Sequence, residues 1–132
     1  MQSIHPKPIL NTSLPVQFRQ IRLELAREHG HPEGDSGFGY IIVAPLDPND
    51  HIDQKLWREY RDACRITRLR PDQNERYGHL VHRSGGWAFS YPDTPDDLGF
   101  HFIEERFVFG EYVSINEDGK MHTYRVVSVS HL

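Results

Sequence analysis

The stretch FVFGEYVSINEDGKMHTYRVVSV, Phe107 to Val129, decides how this chain is read. Two runs in which apolar and polar residues alternate flank Glu117-Asp118-Gly119, which suits a type I turn closed by a glycine in the left-handed conformation. That register pairs Glu111 with Arg125. It places Phe107, Phe109, Val113, Ile115, Met121, Val127 and Val129 on one face. Opposite charges meeting across strands and a continuous apolar face are what a half-buried hairpin requires.

Working outward, the same period-2 signal recurs. In VQFRQIRLELAR (residues 16–27), Val16 and Phe18 share a face that Ile21, Leu23 and Leu25 continue after a one-residue slip, which reads as a β-bulge. FGYIIVAPL (residues 38–46) is apolar on both faces and reads as a central strand covered on both sides. CRITRLRP returns to strand character up to Pro71, and DQNERYG (residues 72–78) reads as a loop. One segment changes period. After Asp50, a candidate helix cap, Ile52, Leu56, Tyr60 and Ala63 recur at steps of three and four, so one α-helix is expected over about residues 51–63.

About seven strands, one helix and no helix–strand repeat exclude a parallel doubly wound sheet. The expected class is α+β, mainly β: a strongly curled antiparallel sheet or small β-barrel carrying one helix. Residues 1–15 hold three prolines and no periodicity and read as an extended N-terminal arm, leaving 16–132 as a single β-rich domain.

Composition bounds the function. The 132 residues are 37% hydrophobic and 26% charged, ordinary usage for a globular domain. With 15 basic and 19 acidic residues the net charge is −4, so nucleic-acid binding is not expected, despite six arginines against four acids between Arg58 and Arg76. No apolar run is long enough to cross a bilayer, the first residues do not resemble a secretory signal, and Cys64 is the single cysteine; the expected location is cytoplasmic.

The nine histidines invite a search for chemistry. In EHGHPEGDSG (residues 28–37), His29 and His31 would share a side in an extended chain, with Glu33 following, and so form the beginning of a metal site. Gly30, Pro32 and Gly34 interrupt any ladder there, and a polar bend is the favoured reading. GHLVHRSGGWAFSY (residues 78–91) is a second hairpin. A two-residue Ser84-Gly85 loop would set His82 on the face of Leu80, Trp87, Phe89 and Tyr91. A three-residue loop ending on a left-handed Gly86 is favoured, and it sets His79 and Arg83 beside those aromatics instead. The candidate ligand-binding residues are therefore His79, Arg83, Trp87 and Tyr91, able to meet a small anionic or planar ligand.

Cys64, at the end of the helix and on its apolar stripe, reads as an inert buried thiol. The acidic run Asp93 to Gly99 reads as a solvated turn, since it lacks the spacing of a calcium loop. No catalytic residue is assigned and no cofactor is expected.

APLD (residues 44–47), the helix end from Trp57 to Cys64, GHLVHR (78–83), Trp87, GEYVSI (110–115) and YRVVSV (124–129) together resemble a family of small uncharacterised bacterial proteins. The resemblance spans most of the chain beyond the arm and implies a bacterial cytosolic protein, but it brings no activity, ligand or cofactor. The leading expectation is a non-enzymatic binding or accessory domain with a shallow aromatic, histidine and arginine site. The alternative is a small metal-dependent enzyme or metal-binding β-barrel drawing a divalent metal onto some of His29, His31, His79, His82, His101 and His122. A third option is interaction with a protein partner, or with a second copy as a homodimer, through exposed strand edges.

Overall fold

A computed structural model describes residues 14–83 and 86–132. Eight strands form one closed, antiparallel barrel: β1 (Phe18–Leu25), β2 (Asp35–Pro45), β3 (Arg65–Arg70), β4 (Gln73–Arg83), β5 (Gly86–Ser90), β6 (Asp97–Phe100), β7 (Tyr112–Glu117) and β8 (Lys120–His131). Each strand pairs with the next, and β8 returns to β1. The small barrel expected from the alternating pattern is thus the fold, and closure leaves the sheet without free edges.

A helix, α1 (Gln54–Glu59), followed by a 3-10 turn over Arg61–Ala63, lies between β2 and β3. Its cap is Asp53, not Asp50: the Asp53 carboxylate accepts from the Leu56 N–H, while Asp50 sits at φ +67 in the preceding turn. This helix and the loop after β6 close one end of the barrel. Trp57 packs edge-on against Trp87 at 5.2 Å, Phe102 against Phe107 at 5.2 Å, and the Phe107 N–H donates to the Asp50 carbonyl.

Three readings of strand register are corrected. The β7–β8 turn has two residues, Asp118 and Gly119, at φ +55 and +80, a geometry in which both central residues are left-handed. Tyr112, not Glu111, therefore faces Arg125, and the lumen row of β8 is His122, Tyr124 and Val126 in place of Met121 and Val127, while Val129, opposite the buried Ile21, does pack against the core. Met121 and Phe109 are exposed. In the β4–β5 hairpin His82 pairs with Trp87 and Arg83 with Gly86, so only residues 84 and 85, which lie outside the described residues, separate the strands. His82 thus shares the Trp87 face, and His79 and Arg83 point outward. Finally, DQNERYG is not a loop: β4 starts at Gln73, and Pro71-Asp72 alone turn the chain.

The slip at Phe18 is no bulge, since pairing with β2 runs unbroken from Phe18 to Glu24. Phe18 is buried because the Tyr60 ring covers it edge-on at 5.8 Å. The bulge falls later, on the β8 side, where Arg22 and Leu23 face Ser128 and Val126 and leave Val127 over. Nor is β2 covered on both faces: Tyr40, Ile42 and Ala44 are buried in the lumen, while Ile41 and Val43 are only half-buried outside. Of the arm expected over residues 1–15, residues 1–13 lie outside the described residues; Leu14 packs on the core.

Along the lumen the rows share one gradient. From the helix-capped end upward, β2 presents Ala44, Ile42, Tyr40 and Phe38; β3 presents Ile66, Arg68 and Arg70; β7 presents Val113, Ile115 and Glu117; and β8 presents Val126, Tyr124 and His122. The rows of β3, β7 and β8 run from apolar to polar, and that of β2 ends on two aromatic rings. The lower barrel is a packed core, and the upper end is a polar mouth. One glycine helps to shape it: a Cβ on Gly78 would collide with the Ser90 carbonyl and the Tyr91 ring, so only glycine lets Tyr91 fold over the rim.

Candidate functional site

The mouth gathers ionisable groups from six strands, Arg76 of β4 among them, and from the chain just after β5 around a cavity of about 450 Å³. Asp97 opens β6 with 3% of its surface exposed, so the acidic run is not wholly a solvated turn: its fifth residue turns into the barrel. Glu117, at the end of β7, is 7% exposed. Tyr40 and Tyr124 rise from the apolar layer below, with rings 5.2 Å apart, and direct their hydroxyls at these carboxylates.

The hydroxyl oxygen of Tyr40 lies 2.9 Å from Asp97 Oδ2 and 2.6 Å from Glu117 Oε2. Tyr91 donates to Asp97 Oδ2 at 2.8 Å, and Tyr124 donates to Glu117 Oε2. The other oxygen of Glu117 pairs with Arg70, whose guanidinium stacks 3.7 Å above the Phe38 ring. Arg68 stands further off, 3.5 Å from Glu117 Oε1 and 3.8 Å from Asp97 Oδ2, and its buried Nε has no hydrogen-bond partner.

Environment drives the two carboxyls in opposite directions. Burial raises Asp97 above its ordinary value, and the hydrogen bonds from Tyr91 and Tyr40 only partly offset this. Burial also pushes Glu117 upward, but the hydroxyls of Tyr124 and Tyr40 and the guanidiniums of Arg70 and Arg68 outweigh it and hold Glu117 below. The three tyrosines are all raised, chiefly by burial, so their hydroxyls stay protonated donors. A group of perturbed carboxyls in one cavity has the physical marks of a functional site.

At the rim, His122 Nδ1 lies 3.1 Å from both oxygens of Glu28, tying the β1–β2 connection to β8, and its Nε2 is 4.0 Å from Glu117. His31 turns to Glu28 at 3.9 Å and to the Phe38 ring at 5.7 Å, while His29 and Glu33 are exposed. The residues of the His29, His31 and Glu33 alternative therefore do not converge. Among the described residues no group of three or more histidine, cysteine or acidic side chains is placed to hold a metal ion. His101 lies at φ +55 in the turn after β6.

The four candidate ligand residues are distributed over three places. Tyr91 joins the mouth. Trp87 is buried at the opposite end, 4.8 Å from the His82 ring. His79 and Arg83 are exposed on the outer face, where they share a separate cleft with Trp57 and Arg61, and Arg83 donates to Asp96 at 2.7 Å. Sequence reasoning missed Arg68, Arg70, Asp97 and Glu117. The signal was present: Ile66, Arg68 and Arg70 lie two apart, as do Ile115 and Glu117, so burying the isoleucine carries the charges into the lumen.

No family model, curated protein or solved structure matches this chain. Among the described residues no helix is long and apolar enough to cross a membrane.

Proposed function

We propose that the protein is a binding or accessory domain whose barrel mouth takes a small, planar carboxylate on Arg68. The observation that carries this reading is the incomplete coordination of Arg68 beside a cavity. Arg70 is fully engaged by Glu117, the Leu69 carbonyl and the Phe38 ring, whereas Arg68 makes only contacts of 3.5 Å or more and keeps a buried, unpartnered Nε. A guanidinium offers five donors in a planar fork, a geometry that a carboxylate meets with two oxygens. An eight-stranded barrel is just wide enough for one small ligand.

Charge selects a monoanion. Three guanidiniums, of Arg68, Arg70 and Arg76, line the cavity with Glu117, the raised Asp97, Asp96 and Asp118, so its arginines and carboxyls leave no net positive charge. A dianion such as inorganic phosphate would face net repulsion there. The Phe38 ring and its stacked guanidinium offer a flat wall to a planar acid. A reducing, cytoplasmic setting suits a chain whose single cysteine is a buried free thiol.

Calorimetric titration with benzoate, acetate and phosphate tests this. Benzoate is expected to bind tightest and phosphate weakest, and Arg68→Met should weaken benzoate by roughly tenfold or more, the loss of a charged hydrogen bond. Absence of binding by any of the three, or benzoate binding unchanged in Arg68→Met, would overturn the reading.

A further inference from the structure

Hydrogen counting in the mouth leads one step further. Four close oxygen–oxygen contacts link the two carboxyls to the tyrosines: Tyr40 to Asp97, Tyr40 to Glu117, Tyr91 to Asp97 and Tyr124 to Glu117. Three hydroxyls supply three hydrogens, and Tyr40 has only one to share between two carboxyls. One additional proton satisfies all four contacts. Glu117 faces Arg70 directly and Arg68 at 3.5 Å, whereas Asp97 has only Arg68 at 3.8 Å. The proton therefore belongs on Asp97, which then donates to Tyr40 while Tyr40 donates to Glu117.

That proton controls the charge seen by a ligand. With Asp97 ionised, its carboxylate compensates Arg68 and repels a second carboxylate. With Asp97 neutral, Arg68 is left with a net positive charge. We infer that the mouth binds its carboxylate together with one proton, held on Asp97 and relayed through the Tyr40 hydroxyl to Glu117. The inference rests on the mouth being a carboxylate site. The proton comes from solvent, and nothing is oxidised or reduced. The charged and titratable groups facing Asp97 are Tyr40 from β2, Arg68 from β3, Tyr91 after β5 and Glu117 from β7, and they leave Asp97 as the carboxyl with the weaker claim on a cation.

Benzoate is the probe. Its affinity is measured between about pH 6 and pH 9, where the ligand stays ionised, in buffers of different ionisation enthalpy. The expected result is uptake of up to one proton on binding and an affinity that falls about tenfold per pH unit on the alkaline limb. Asp97→Asn should still bind benzoate but lose both effects. Should that variant fail to fold, isotope-edited infrared spectroscopy of the wild-type protein reads the same event, as growth of a protonated-carboxyl band on saturation. Binding with neither proton uptake nor pH dependence overturns this inference alone. So does a dependence that survives in Asp97→Asn, or an infrared spectrum in which no such band grows. No binding of benzoate at any pH overturns the carboxylate reading itself.

Discussion

Replacing Glu117 by glutamine removes one charge from the mouth and keeps the shape. Arg70 and Glu117 are both 7% exposed in their side chains, so their pairing is screened by little water. In the variant, Tyr40 and Tyr124 still find an amide oxygen, but Arg70 loses its acceptor and faces the amide NH2, another donor. Deleting one partner of a buried ion pair costs about 3–5 kcal/mol, and the acceptor retained for the tyrosines places this change near the lower end, about 3 kcal/mol. For a domain of this length that corresponds to a fall in melting temperature of roughly 10 °C. Urea is the appropriate denaturant, since guanidinium salts would screen the charges under test. With an m-value of about 1.5 kcal/mol/M, the midpoint should drop by about 2 M at unchanged slope. The double variant Arg70→Met/Glu117→Leu supplies the control: without either charge, stability should return to within about 1 kcal/mol of wild type or exceed it. A Glu117→Gln protein within about 0.5 kcal/mol of wild type at the same slope would refute the claim that this pair is formed and dry.

Acidification should destabilise the fold. Glu117 is held below its ordinary 4.5, so the unfolded chain takes up a proton first and stability is lost as pH falls below that value; Glu117→Gln should flatten this acid limb in urea melts. Asp97 acts with the opposite sign: held above 3.8, it stabilises the fold while protonated and that contribution is lost as pH rises through its folded value, a slope that Asp97→Asn should remove. Gly119→Val should cost about 1–2 kcal/mol, because φ +80 is strained for a β-branched residue, and an unchanged urea midpoint would contradict the two-residue turn. Trp87→Ala should cost about 3–5 kcal/mol through the cavity left between Trp57 and His82, without changing benzoate affinity at the far end of the barrel. Cys64, fully buried with its thiol pushed up to about 12 by burial, should react with a disulfide reagent only as fast as the protein unfolds.

Much of the barrel was legible because alternation is a local property. Leu23 and Leu25, and Val113 and Ile115, each declare a lumen face without reference to any partner strand, whereas the unbroken apolar run around Ile42 and Ala44 does not say which of its faces is inside. The helix was legible from its period, but its start was not. Asp47 accepts from the Asn49 and His51 N–H groups and organises a turn where a helix was expected, so the cap moved to Asp53. Strand β6 was illegible in Asp97-Leu98-Gly99-Phe100. A four-residue strand beginning with an acid carries no hydrophobic period, and its place is set by pairing with β5 and β7.

The site was missed for a different reason, and the reason bears on what the site is. Period-2 patterning converts a one-residue error in a turn into an exchange of lumen for exterior along a whole strand. Counting Glu117 into the β7–β8 loop removed it from the lumen row to which its spacing from Ile115 assigns it, and it drew Met121 inward in place of His122. The three-residue loop in the other hairpin similarly drew His79 and Arg83 inward. Both choices favoured apolar neighbours, as a core requires. Yet the upper rows of β3, β6, β7 and β8 place two arginines, two carboxylates and a histidine where isoleucine or leucine would close the barrel at no desolvation cost. A mouth whose only task was to seal the core would do so with apolar side chains. The incomplete pairing of Arg68 beside a cavity, with one hydrogen short among the surrounding oxygens, is why we propose a small anion and a proton as what completes it.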